Sequence, residues 1–151
     1  MRLAQCLVAL ALLSNSSSGF AEEFDWISIG KSGMGPWQMY IDSVSIRTDE
    51  DGHVRVTVLD DHRVTQMGID RVNNRGEMYY DTKYKPRSTI TEYVLDCENQ
   101  REVSLRTRYF DGDMGKGRLL LDDLDSEPFW TDFLFMFEER MTKFACKKGK
   151  S

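Results

Sequence analysis

From residue 24 to residue 124 the apolar and polar positions alternate in short runs, the period of strands that bury one face. The first run, 24–29, contains Phe24, Trp26, Ile27 and Ile29 and stops at Gly30, Gly33, Gly35 and Pro36. The second run covers 37–41. Asp51-Gly52 is a turn signal, after which 53–59 puts Val54, Val56 and Val58 on one face. The segments flanking that turn are expected to pair as a hairpin. Residues 61–86 are poorly patterned, with Gly68, Asn73, Asn74, Gly76 and Pro86. A connection that long in one domain predicts a short strand within it or a functional loop. Alternation resumes at 89–97, with Thr89, Thr91, Tyr93, Leu95 and Cys97 on one face. It continues at 102–110, with Val103, Leu105, Thr107 and Tyr109 on one face and Arg106 and Arg108 opposite. Asn99-Gln100 makes the turn between these two runs. The glycine-rich segment 111–117 reads as a hairpin connection into 118–121.

The period then changes. Ser126, Glu127 and Pro128 form a helix start, with a capping serine and a proline in the first turn, where a missing N–H costs nothing. Trp130, Phe133, Leu134, Phe137, Met141 and Phe144 recur at three- and four-residue spacing, which predicts a helix over 127–145 with one apolar stripe. Cys146 is placed just past its end. A helix so aromatic on one side must lie on a sheet. The expected fold is α+β, a mainly antiparallel sheet of about six strands covered on one face by one C-terminal helix.

Residues 1–21 change the setting in which that domain folds. Arg2, the apolar run 7–13 and the small, polar end at Gly19 and Ala21 are the three parts of an export signal, and the run is too short to span a bilayer. Cys6 precedes the apolar run, so it leaves with the signal and is not placed to anchor a lipid. A single domain, 22–151, remains. Of the 20 Lys+Arg and 25 Asp+Glu, the signal removes only Arg2, leaving 19 basic against 25 acidic residues. That balance excludes a nucleic-acid partner, and no later segment predicts a membrane span. Two of the three cysteines stay, Cys97 and Cys146, and outside the reducing cytosol a disulfide between them is expected. They lack the close spacing of a redox pair and are too few for a zinc site.

Candidate chemistry is sparse. The only histidines are His53 and His62, flanking one strand. The acidic groups 49–51 and 122–125 lack the spacing of a calcium loop and read as solvated turns, and the glycines of 111–117 lack the ending of a phosphate-binding loop. No catalytic residue, metal or cofactor is predicted. The segment 78–87 stands out as aromatic and basic, and Tyr79, Tyr80, Lys83, Tyr84 and Arg87 are the candidate partner contacts. Tyrosine and arginine combine large contact area with directional polar groups, and Met67 and Met78 suit an adaptable surface.

The order of several marks resembles the surface-adhesin protein E family of exported Gram-negative proteins. These are Trp26, the segment 40–46 (YIDSVSI), Gly52 before the valine strand, and Ser88-Thr89-Ile90 leading through Tyr93 to Leu95-Asp96-Cys97. Arg101, Tyr109, Gly115, Gly117, Trp130 and Cys146 follow. The resemblance implies a small antiparallel sheet with a C-terminal helix, no catalytic site, and binding of other proteins, with host extracellular components as partners. The chain departs from it in lacking a cysteine placed for lipid attachment and across 61–87. The function expected is thus a non-enzymatic exported protein-binding module, periplasmic after signal cleavage or at the cell surface, with a homodimer as a further option. Two alternatives belong to other classes. A periplasmic carrier of a small hydrophobic or haem-like ligand requires an apolar cavity between sheet and helix. A small secreted hydrolase using His53 or His62 requires the two imidazoles to converge with a carboxylate in a concave pocket.

Overall fold

The alternating runs form strands, and the strands are sorted between two sheets. The computed structural model describes residues 23–31, 37–72, 75, 77–125, 128–133 and 136–149. The export signal with Cys6, the turn residues Gly33, Gly35 and Pro36, the residues Asn73, Asn74 and Gly76, the helix start Ser126-Glu127, and Leu134 lie outside them. In chain order the elements are β1 (Trp26–Lys31), β2 (Gln38–Asp42), β3 (Arg47–Thr48), β4 (Val54–Asp61), β5 (Ile69–Val72), β6 (Met78–Asp81), β7 (Ser88–Asp96), β8 (Arg101–Phe110), β9 (Leu119–Leu124), β10 (Thr131–Asp132) and α1 (Met136–Gly149). The main sheet is antiparallel, in the order β1-β2-β4-β7-β8-β10, with β3 added beside β4 and β9 beside β8. The six strands expected are β1, β2, β4, β7, β8 and β9. The count reaches eight because β3 and β10, with two residues each, are too short to show alternation. The hairpin across Asp51-Gly52 forms, with Thr48 opposite Val54. β5 and β6 make a separate two-stranded sheet within the poorly patterned stretch.

Paired residues point to the same side of a sheet, so register assigns the faces. Val54, Val56 and Val58 pair with Leu95, Tyr93 and Thr91, and Ile41 pairs with Val58. With Met39, Met141 and Ala145 these residues make the core, and Ile41, Leu95 and Ala145 are fully buried. This is the helix face. On the opposite face Leu59 and Ile90 are buried beneath the turn at Asp113–Gly115. That turn needs left-handed backbone at Met114 (φ 56) and Gly115 (φ +69). A Cβ on Gly115 would stand 2.6 Å from Ile90 Cδ1, so glycine serves both the turn and the close approach. Ser88 Oγ accepts from the Gly115 N–H at 2.9 Å and donates to Gly112 O at 2.6 Å, fastening the turn to β7.

Two details depart from the pattern. In β8 the register shifts opposite Glu92/Tyr93, where Ser104 pairs with Tyr93 but Arg106 with Glu92. The extra residue is a bulge, and it moves Val103 to the face opposite Thr107, although their spacing places them together. The helix starts at Met136, later than the aromatic spacing indicates, and runs to Gly149, so Cys146 lies within its last turn. Residues 131–132 pair instead with Glu102 and Arg101, closing backbone groups on β8 beyond the reach of β9. Trp130 accordingly packs at the sheet's lower end, 5.4 Å from the Arg101 guanidinium and 5.1 Å from the His53 ring.

Three ties fix the end of α1. The Cys97–Cys146 disulfide joins β7 to the helix, the Thr48 hydroxyl donates to Gly149 O at 2.7 Å, and Gly149 lies so close to Val54 that a Cβ would come within 2.7 Å of its Cγ2. The bridge spans 49 residues, and on the chain-entropy model it stabilises the fold by about 4 kcal/mol. Full reduction, verified by mass, is expected to lower the melting temperature by at least several degrees. Unchanged melting in the reduced protein would mean that packing alone holds the helix.

Candidate contact surface and adjoining cavity

Residues 61–87 leave the top of β4, form the β5–β6 hairpin and return to β7. The His62 N–H donates to Arg87 O at 2.9 Å and the Gln66 N–H to Pro86 O at 2.8 Å, which closes the base of the excursion. Asp70 pairs with Tyr80 and Arg71 with Tyr79, and an Arg71–Asp123 ion pair at 3.7 Å ties the hairpin to β9. Adjacent residues of a strand face opposite ways. Tyr80 turns towards the main sheet, its ring over Gly68, where a Cβ would stand 2.9 Å from the ring. Tyr79 faces away and is exposed.

The five predicted contact residues separate into two groups. Tyr79, Tyr80, Lys83 and Tyr84 gather on β6 and the turn after it, with Lys83 Nζ 5.2 Å from the centre of the Tyr84 ring. Val64 and Met67, 52% and 70% exposed, add apolar area along the preceding loop. Arg87 is engaged elsewhere. Its guanidinium grips the Asp113 carboxylate at 2.8 and 3.0 Å and donates to Arg63 O at 3.1 Å. That pairing raises the Arg87 pKa and holds the Asp113 carboxyl below the usual range. Arg87 therefore positions the 113–115 turn.

Beneath the hairpin lies a cavity of about 400 Å³, lined by Trp37, His62, Asp70, Tyr80, Thr89 and Tyr109 among others. Thr89 pairs with both Asp60 and Tyr109, which puts this cavity on the helix face, beyond the valine core. Trp37 meets the His62 ring edge-on at 5.1 Å. His62 is 8% exposed, and its buried Nδ1 has no hydrogen-bond partner among the described residues. Burial pushes the imidazole pKa down, partly countered by Asp61, so the ring is neutral at neutral pH. Burial, then Asp123, pushes the Tyr109 phenol up, and it too stays neutral. Sequence reasoning missed this group because its members come from separate strands and loops and carry no common spacing. It also missed a second cavity of about 320 Å³ on the opposite face, where Arg47, Arg55 and Arg108 meet Glu92 and Phe24.

The remaining candidates stay apart. His53 and His62 lie beyond opposite ends of the eight-residue β4, about 30 Å apart along the strand at ~3.3 Å per residue. They do not converge as the hydrolase alternative requires. Asp49, Asp51 and His53 offer ligand atoms within 4.8 Å of one another. Asp49 Oδ1, however, already accepts from the Asp51 and His53 N–H groups at 3.1 and 2.9 Å and shapes the turn. Of the second acidic run, Asp122 pairs with Arg106 and Asp123 with Arg71. The carrier alternative places its ligand between sheet and helix, where Val54, Val56, Met141 and Ala145 are buried against one another. Among the described residues no helix is long and apolar enough to cross a membrane.

The sequence model of the family described as surface-adhesin protein E matches residues 26–147, and the chain belongs to that family. Crystal form II of Haemophilus influenzae protein E is similar at 19% identity and a TM-score of 0.53, over 96% of this chain and all of that one. Protein E from non-typeable Haemophilus influenzae is similar at 20% identity and a TM-score of 0.50, covering 98% of this chain and 89% of that one. At these identities the likeness is one of fold. No curated protein matches the chain.

Asp60 stands on the helix face between the valine core and the cavity, beside Met39 and Thr89. Burial pushes its carboxyl from 3.8 up to about 6. The folded protein therefore holds this proton more tightly than the unfolded chain. The stability gained from burying the neutral acid is complete below pH 3.8 and is lost as pH rises through about 6. Asp60→Asn should melt higher than the parent at pH 7, by roughly 1–2 kcal/mol in stability, with the gap closing near pH 4. The difference between the two proteins is the measurement to take. Asp96 and Asp122, held low chiefly by hydrogen bonds from Arg101 and Arg106, impose the opposite pH trend on both. A gap that does not change with pH would remove Asp60 as its source.

Proposed function

We propose that this member of the surface-adhesin protein E family is a non-enzymatic exported module that binds other proteins, working in the periplasm or at the cell surface. The β5–β6 hairpin with its neighbouring loop is its contact surface. One observation carries the assignment. Val64, Met67, Tyr79 and Tyr80 are all exposed on a single excursion, beside Lys83 and the partly exposed Tyr84. Exposed apolar side chains scattered singly need no explanation, whereas several on one projecting segment mark a recognition surface. Tyrosines offer rigid area with a polar tip, and methionine adapts to the partner. Arg87 supports this surface by anchoring its return to β7. Family membership supports the partner class, an extracellular protein of a host. Among the described residues β1 ends the strand order, so its outer edge offers strand addition as a second mode, and a second copy of the chain would fit it.

The test is surface plasmon resonance of the purified chain against extracellular-matrix proteins, with Tyr79→Ser and Met67→Ser as single and double variants. Both side chains are exposed, so melting should move little. Binding should weaken by about tenfold or more in the double variant, since an interfacial tyrosine contributes on the order of 1–2 kcal/mol. Binding that is unchanged in the double variant would move the contact surface elsewhere. No binding to any matrix protein would defeat the host-component assignment.

A further inference from the structure

Apart from Tyr80, the cavity beneath the hairpin is lined by residues that the outward-facing contact surface does not use, and its lining has a consistent chemistry. Three aromatic rings, Trp37, Tyr80 and Tyr109, share it with one carboxylate, Asp70, and with no lysine or arginine. Besides Asp70 and the two tyrosine phenols, the titratable lining group is His62, whose imidazole is neutral at neutral pH. Aromatic faces are negative at their centres, so several rings beside a carboxylate attract a cation. A bare metal ion or an ammonium would want several oxygen acceptors in place of those rings. Alkylated ammonium groups have few or no N–H donors to satisfy and spread their charge over methyl groups, which suit aromatic walls. At about 400 Å³ the cavity falls within the range of small-molecule sites.

We infer that this cavity binds a small trimethylammonium compound of the choline class. Its cationic head lies among Trp37, Tyr80 and Tyr109 beside Asp70. Gly68 keeps the Tyr80 ring in place, since a side chain there would strike both the ring and the Asp81 carbonyl, the latter at 2.7 Å. Tyr80 borders both this site and the protein-contact surface, whereas Tyr79 faces away from the cavity and Trp37, Asp70 and Tyr109 belong to the cavity alone.

Isothermal titration of the purified chain with choline, and with its uncharged isostere 3,3-dimethylbutan-1-ol, separates charge recognition from the filling of an apolar slot. Choline should bind, and the isostere should bind about threefold to thirtyfold more weakly. Asp70→Asn and Trp37→Leu should each weaken choline by a similar factor while leaving the matrix-protein binding of the Tyr79 and Met67 surface intact. The isostere comparison needs no variant, so a misfolded mutant does not remove the test. Phosphatidylcholine vesicles distinguish the source. Flotation of the chain with vesicles, competed by free choline, assigns the chemistry to a lipid headgroup, and binding of free choline alone assigns it to the soluble alcohol. Equal binding of choline and isostere overturns the inference, as does failure to bind choline in either form.

Discussion

A single fourteen-residue helix must help keep dry a sheet of eight strands, and that shortage governs the rest of the molecule. The helix covers only the lower part of one face, where Val54, Val56, Leu95, Met141 and Ala145 close on one another. It is too short to be stable alone, so its position depends on attachment. The Cys97–Cys146 bond and the Thr48–Gly149 hydrogen bond supply this at the same end, against the β3–β4 hairpin. Everything the helix does not reach must be covered by connections between strands.

Those connections account for the two long irregular segments. The 111–117 turn folds over Leu59 and Ile90 on the face opposite the helix, held by Ser88 and by the Arg87–Asp113 pair. The 61–87 excursion covers the upper part of the helix face, over Thr89 and Tyr109. Arg87 therefore joins both covers: its backbone carbonyl receives the His62 N–H, and its side chain holds the turn on the other face. The residue has the composition of a partner contact and the geometry of an internal brace. The hairpin packs less closely than the helix, leaving a cavity with an orphaned histidine nitrogen, whereas the valine core below it is closed.

The parts of this fold legible in sequence were those with a sustained local period. Alternation located the long strands and the valine face, Asp51-Gly52 located its hairpin, and the count of exportable cysteines located the disulfide. What the sequence hid was set by tertiary pairing. The bulge in β8 reverses a face without altering residue spacing, since only the partner strand reveals that one residue is extra. Trp130 and Phe133 keep helical spacing yet flank a two-residue strand, because open backbone groups on Glu102 and Arg101 compete successfully for that segment. The aromatic candidates on 78–87 were visible from composition. The cavity was not, because Trp37, Asp70 and Tyr109 become neighbours only after β2, β5 and β8 are in place.

This division of labour bears on how one scaffold can serve different partners. The paired strands and the helix are mutually dependent, so a change in the valine core propagates to the helix clamp. The β5–β6 hairpin forms its own sheet and meets the rest through the Arg71–Asp123 pair, two backbone hydrogen bonds at its base and the cavity wall. Units attached so lightly open and vary at little cost to global stability. The excursion can therefore change its exposed side chains while the clamped sheet persists. Likeness to protein E over nearly the whole chain at about 20% identity is consistent with a conserved scaffold of this kind. On the proposed reading, the residues that decide what is bound lie on the hairpin, the element on which the core depends least.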